Sequence, residues 1–172
     1  MKILVLNGSP RGKNSNTKAL VDAFKAGAEK NGNEVTVMEV GRMKINACLA
    51  CEYCHEKEKG VCIQKDDMQE VYPAVAEADM IVFASPVHYF GFSGQMQSAL
   101  SRFYPTLKPA KATQYACILS SGSPDVYAGI EAQFATMVGF FGAENKGVFK
   151  YHGEENGSEK ALAEVEAFGA SL

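Results

Sequence analysis

The spacing of apolar residues along the chain switches repeatedly between a strand-like and a helix-like period. Lys2–Asn7 (KILVLN) is a short run rich in branched apolar residues that stops at Gly8, the pattern of a strand buried on both faces. Beyond Asn14, Ser15, Asn16 and Thr17, all able to cap a helix, Leu20, Ala23, Phe24 and Gly27 recur at helical spacing until Asn31 and Gly32. Glu34–Val40 (EVTVMEV) alternates apolar with polar residues, which predicts a half-exposed edge strand. Gly41–Lys65 carries no regular period. Asp66 or Asp67 then caps a helix, with Glu70 placed as in a capping box, and Pro73 should kink or restart that helix before Ala78. Asp79–Ala84 reads as a third strand, Ser93–Tyr104 as a helix burying Met96, Leu100 and Phe103, and Thr113–Ser120 as a fourth strand. Pro124 and Asp125 fit the start of a helix whose inner face is Ile130, Phe134, Met137, Val138 and Phe141. Lys146–Tyr151 predicts a fifth strand, and Ser158 caps a last helix burying Leu162, Val165 and Phe168.

Strands that alternate with helices imply a parallel sheet, because each parallel crossover lays a helix on a sheet face. The expected architecture is a doubly wound α/β domain: a five-stranded sheet of flavodoxin-like order 2-1-3-4-5 with helices on both faces. With 172 residues, 47% of them hydrophobic, residues 1–172 are expected to form a single domain, with residues 41–65 as an inserted cysteine-rich loop. Ligands of such sheets lie beyond the carboxyl ends of the strands, so Gly8–Thr17, Ser85–Phe92 and Ser120–Val126 should build the site. A net charge of −3 leaves no basic footprint for nucleic acid. The opening apolar run, Ile3–Leu6, is too short for a signal-peptide core or a membrane span, so no membrane partner is expected and the cytoplasm is the expected compartment.

Four of the chain's five cysteines, Cys48, Cys51, Cys54 and Cys62, fall in the spacing C-x2-C-x2-C-x7-C. Three sulfurs two residues apart can converge from one tight loop, and the spacing approaches the ferredoxin-type run that holds an iron–sulfur cluster. Zinc sites favour two separated C-x2-C knuckles. Iron–sulfur, zinc and metal-free thiols all stay open on spacing alone. A disulfide scaffold is the weakest reading, since such scaffolds belong to short secreted chains without a core. Cys117 sits in the apolar fourth strand as a buried small residue, and His55 reads as an exposed loop histidine, although it neighbours Cys54.

The loop GSPRGKNSNT from Gly8 to Thr17 joins the first strand to the first helix, where unpaired N–H groups and the helix dipole favour a phosphate. Ser9, Ser15, Asn16 and Thr17 add neutral donors and Arg11 adds charge. The loop lacks the spacing of a Walker A loop and of the dinucleotide G-x-G-x-x-G fingerprint, so a monophosphate is expected. Pro86, Val87, His88, Tyr89, Phe90 and Gly91 can offer backbone donors and acceptors together with flat surfaces to a ring. Ser121, Gly122 and Ser123 read either as a turn closing the fourth strand or as a contact to that ring.

These segments, with Ser85-Pro86-Val87, Lys65-Asp66-Asp67-Met68 and Ser121-Gly122-Ser123, resemble NAD(P)H-dependent FMN reductases, and the compact cysteine motif resembles the iron–sulfur flavoproteins among them. The resemblance runs from the first strand to Gly153–Ser158. It implies one FMN, its phosphate in the first loop and its ring edge against the second and third. It also implies electrons from NAD(P)H or reduced ferredoxin passing through FMN to a 4Fe-4S cluster held by Cys48, Cys51, Cys54 and Cys62, and on to a small-molecule or protein acceptor. The alternatives are a cluster-free flavin, quinone, azo or nitro reductase, and a flavodoxin-like carrier with a zinc or metal-free cysteine loop. Relatives of this kind are commonly dimers or tetramers, which makes Tyr89, Phe90 and Phe92 a contact surface in a homodimer or homotetramer. Many of them have tyrosine at the His88 position and Asp-Arg where this chain has Ser101-Arg102. No Ser-His-Asp set or carboxylate pair declares itself, so catalytic residues are unassigned.

Overall fold

A computed structural model describes residues 1–172. Its elements are β1 (Lys2–Asn7), α1 (Asn16–Lys30), β2 (Glu34–Met38), α2 (Tyr53–Glu56), α3 (Met68–Glu77), β3 (Met80–His88), β4 (Gly91–Phe92), α4 (Gly94–Ser101), β5 (Gln114–Ser121), α5 (Ala128–Phe141), β6 (Glu144–His152) and α6 (Glu159–Ala170). Five strands form a parallel sheet in the order β2-β1-β3-β5-β6, and the two-residue β4 pairs antiparallel with the end of β3. With β4 set aside this is the expected order 2-1-3-4-5, and the strand count exceeds expectation only by that short hairpin arm.

The sheet separates two hydrophobic cores. Alternate strand residues turn to opposite faces, so Leu4, Leu6, Ile81, Phe83, Tyr115, Cys117 and Leu119 pack with α3, α4 and α5 on one side. Ile3, Val5, Met80, Val82, Ala116 and Ile118 pack with α1 and α6 on the other. Phe83 is the aromatic hub of the first core, its ring 6.0 Å from Tyr115 and 6.2 Å from Phe134. Cys117 is wholly buried there, where desolvation drives its thiol well above the ordinary range.

Several local expectations are corrected. Strand β3 runs on to His88, past the expected Ala84, because Ser85–His88 still finds partners: β5 through Pro86, then β4 through Val87 and His88. Pro73 neither kinks nor restarts a helix; α3 is continuous across it, packed into the core through Met68, Val71 and Val75. The box at Asp67 and Glu70 does not form, since Asp67 has helical φ/ψ and caps with no side-chain bond. Asp66 serves that end instead, accepting from Met68 N at 3.2 Å. Asp125 adopts φ 59° and helix α5 begins three residues later, at Ala128. In α6 the fully buried residues are Ala161, Val165 and Gly169, with Leu162 and Phe168 only partly covered.

Candidate functional site

At the carboxyl ends of β1, β3 and β5 a cleft of about 300 Å³ opens, lined by Ser9, Pro10, Arg11, Ser15, Asn16, Thr17, Pro86, Val87, His88, Ser120, Ser121, Gly122, Gly153 and Asn156. The first loop is held as a rigid bowl by its own hydroxyls. Ser15, N-cap of α1, donates to Ser9 Oγ at 2.8 Å while accepting from Lys18 N, and Ser9 Oγ also accepts from Arg11 N at 3.3 Å. Thr17 Oγ1 pairs with Ser120 Oγ at 2.7 Å, tying α1 to the end of β5. Below the bowl, Gly41 N donates to Asn7 O, and a side chain at Gly41 would stand 2.2 Å from Ser9 O. Only a glycine lets the chain after β2 pass so close beneath the loop.

The electrostatics of this cleft have one sign. No carboxylate and no thiol lines it, and its only ionisable side chains are those of Arg11 and His88. The first turn of the fifteen-residue α1 opens into it without an acidic residue. Such an arrangement accepts an anionic group through N–H donors, hydroxyls and the positive end of a helix. On the far wall, Asn156 Nδ2 donates to Ser121 O at 2.7 Å and Gly153 O at 3.0 Å, while its Oδ1 is buried with no partner. A buried acceptor left over at a cleft wall suits a ligand that brings an N–H. The residues therefore fit a phosphate-bearing ring ligand such as FMN on chemistry as well as on size.

Of the residues expected to touch that ligand, Ser9, Arg11, Ser15, Asn16, Thr17, Pro86, Val87, His88, Ser121 and Gly122 come together around the cleft. Tyr89, Phe90 and Gly91 do not. Gly91 pairs with His88 in the β3–β4 hairpin, and Tyr89 and Phe90 form its two-residue tip with φ of 49° and 65°. Both aromatic side chains stand in solvent, Tyr89 96% and Phe90 59% exposed. Ser120, Gly153 and Asn156 join the lining without having been singled out from the sequence. The only cue was their position just beyond two strand ends.

The cysteines form a second centre. Cys48, Cys51, Cys54 and Cys62 all line one hollow together with Leu49, Ile63, Tyr104 and Arg102, and none is in a disulfide. Left-handed backbone at Ala50 (φ 51°) and Glu52 (φ 55°) curls the segment so that Ala50 N donates to Cys48 Sγ at 3.4 Å. Cys48 N donates to Ser101 Oγ at 3.0 Å, fixing the loop to the end of α4. His55 is turned away, its Nε2 3.1 Å from Tyr104 O and its ring edge-on to that tyrosine. Burial raises the Cys54 thiol, opposed by a hydrogen bond within its own residue and reinforced by Cys62 and Cys48 nearby. No three His, Cys, Asp or Glu side chains are drawn together as they would be around one ion. A zinc ion would bring all its sulfurs to about 2.3 Å of a single point. The hollow is instead an open ring of thiols, which fits a larger sulfur-rich group better than a zinc staple.

Among known proteins, the chain is 37% identical over 131 residues to an iron-sulfur flavoprotein of Archaeoglobus fulgidus, covering 76% of this chain and 56% of that one. It is 38% identical over 102 residues to an iron-sulfur flavoprotein of Methanocaldococcus jannaschii, covering 59% of this chain and 50% of that one. The chain thus spans about half the length of the curated relatives it matches. In fold it resembles the NAD(P)H:quinone oxidoreductase of Methanothermobacter marburgensis, with a TM-score of 0.75 at 18% identity over 100% of this chain and 96% of that one. A cleft built for an anionic ring ligand at the strand ends, on a doubly wound sheet of this order, agrees with the family model that matches residues 1–147: the chain belongs to the NADPH-dependent FMN reductase family.

Proposed function

We propose that the chain is an FMN-dependent oxidoreductase that takes electrons from NAD(P)H or reduced ferredoxin and releases them through the cysteine site to a one-electron acceptor. The observation that carries this reading is the presence, in one chain, of a carboxylate-free cleft lined by Ser9, Ser15 and Thr17 and a separate hollow lined by four free cysteines. When bound, FMN supplies exchange between two-electron and one-electron chemistry, and a 4Fe-4S cluster supplies a one-electron outlet.

The residues do the positioning. Ser9, Ser15, Thr17 and Arg11 hold the phosphate at the start of α1, and Asn16 lies at the rim of the same turn. Pro86 and Val87 close one wall against water, and the backbone of Ser121 and Gly122, braced by Asn156, faces the ring's polar edge. Proton transfer need not be assigned to a side chain, because the lining offers neither carboxylate nor thiol. Cys48, Cys51, Cys54 and Cys62 hold the cluster.

The exposed aromatic tip of the β3–β4 hairpin is the contact for a second copy of the chain. Two non-glycine residues at positive φ in a two-residue turn carry a cost that persists where a function uses the strained shape. Scattering that gives a monomer at working concentration would count against this contact.

The test of the main reading is the visible spectrum of anaerobically prepared protein with iron, sulfide and flavin quantified together, followed by steady NAD(P)H oxidation with an artificial acceptor. Flavin bands joined by a broad absorption that bleaches on reduction, with about four irons per chain as a 4Fe-4S centre requires, are expected. Flavin without iron reduces the reading to a cluster-free flavin, quinone, azo or nitro reductase. No flavin overturns it.

A further inference from the structure

The most unusual side chain in the molecule is Arg102. Its side chain is 0% exposed, the largest of the fully buried residues, and it lies at the foot of α4 beneath the cysteine hollow. A guanidinium has five N–H donors and no acceptor. Here Nη1 alone is used, donating to Asp66 Oδ2 at 2.7 Å and to Asn46 O at 3.0 Å. Nε and Nη2 are buried without any partner. Buried donors on a charged group are costly to leave unmade, and native proteins satisfy nearly all of them. The neighbours of this guanidinium do not absorb them: the Tyr72 hydroxyl is itself buried without a hydrogen-bond partner, and the remaining lining is the four cysteines with Leu49, Ile63 and Pro105.

Asp66 is fully committed to its own task. Besides Arg102 it accepts from Asn46 N at 3.0 Å and Met68 N at 3.2 Å. Burial pushes its carboxyl up, but the guanidinium and these N–H donors outweigh that and hold it below the usual carboxylate range. The Asp66–Arg102 pair therefore pins the cysteine-bearing segment to α4 while leaving half of the guanidinium free.

We propose that the unspent Nε and Nη2 donors of Arg102 belong to the sulfur-rich group that Cys48, Cys51, Cys54 and Cys62 hold, and that Arg102 is the buried counter-charge that retains this group and raises its potential. The inference rests on the cluster reading given above. Cysteine-held clusters gain negative charge on reduction, and donors aimed at their sulfurs favour the reduced form. Asp66 acts on the same group with the opposite sign, through the Arg102 it partly neutralises. A purely structural salt bridge would give both substitutions the same consequence, loss of stability. Counter-charge gives them opposite effects on potential.

The experiment uses the full chain, its Arg102→Met variant and its Asp66→Asn variant, each reconstituted anaerobically with ferrous iron and sulfide. Iron and sulfide per chain are measured, and the bleaching of the cluster is titrated with redox dyes. Arg102→Met is expected to shift the reduced-to-oxidised ratio at fixed poise about tenfold toward oxidised, 59 mV for a one-electron couple. Its iron affinity is expected to fall about 10-fold or more. Asp66→Asn is expected to shift the ratio the other way. If Arg102→Met fails to fold, Asp66→Asn decides alone: an upward shift supports the assignment and an unmoved potential overturns it. Wild-type potential and iron content in both variants overturn the role of Arg102 and leave the cluster reading standing. An unsubstituted chain that takes up neither iron nor sulfide overturns both.

Discussion

The strand-end cleft and the cysteine hollow solve the same problem, holding a charged cofactor, by opposite means. The cleft uses neutral hydroxyls that already bond one another, Ser15 to Ser9 and Thr17 to Ser120, on the rigid ends of β1, α1 and β5. The hollow uses thiols on a segment with left-handed backbone at Ala50 and Glu52, fixed from outside by the Asp66–Arg102 pair and by Ser101 under Cys48. The first site is a consequence of the doubly wound sheet, which leaves a helix N-terminus and loose loop ends at the carboxyl edge. The second is an addition to that sheet, placed in the connection between β2 and α3. What the difference teaches is that the two should be separable by mutation.

The largest break is expected at the hollow. Cys54 is its one buried cysteine, and no other thiol of the cluster set can move into its place without unfolding α2. Cys54→Ser should abolish bound iron and sulfide outright while FMN binding, followed by flavin fluorescence quenching, stays within about twofold, because the cleft shares no lining residue with the hollow. Loss of flavin along with iron would show the two sites to be one cooperative unit.

The next largest effect falls on the cleft. Gly41→Val places carbon 2.2 Å from Ser9 O and so must displace the phosphate bowl. Such overpacking costs about 1–3 kcal/mol of stability, readable in a urea melt. Flavin affinity should fall by more than stability does, with iron content unchanged. A milder version is Ser15→Ala, which removes both the N-cap of α1 and the hydroxyl that orients Ser9. It is expected to cost about 1 kcal/mol of stability and to weaken flavin roughly tenfold through the lost donor.

How much of this was readable before the coordinates follows the same division. The apolar runs at Lys2–Asn7 and Thr113–Ser120 and the caps at Ser15 and Ser158 gave the sheet and its order, because strand burial and helix capping are local chemistry. The first loop was legible for the same reason. The hairpin tip was not: a two-residue turn usually announces itself with Asn or Gly, and here Tyr89 and Phe90 occupy the left-handed positions. Asn156 enters the cleft through a single turn after β6, and no periodic signal marks it. Arg102 looked like a polar residue near a helix end, since nothing in a linear chain pairs it with Asp66, thirty-six positions away.

The smallest expected effect supplies the control for the comparison, at the opposite edge of the sheet. Asp79 precedes β3 at the amino ends of the strands, where it accepts from Lys2 N at 2.7 Å and faces Lys111 at 2.9 Å. The Lys2 N–H, then Lys111, hold its carboxyl below the usual range. A carboxyl whose folded pKa is depressed contributes stability that is present above its unfolded pKa and is lost as pH falls through the folded one. Asp79→Asn should therefore flatten the acid limb of a stability profile below the ordinary carboxylate pKa and leave the neutral region close to wild type, as expected of a solvent-facing pair. Flavin and iron content should both be untouched, because the amino edge of the sheet carries fold and no cofactor. A change in either would mean that the two sites communicate through β3 itself, whose far end forms a wall of the cleft, and the separation drawn between them would have to be replaced by a coupled one.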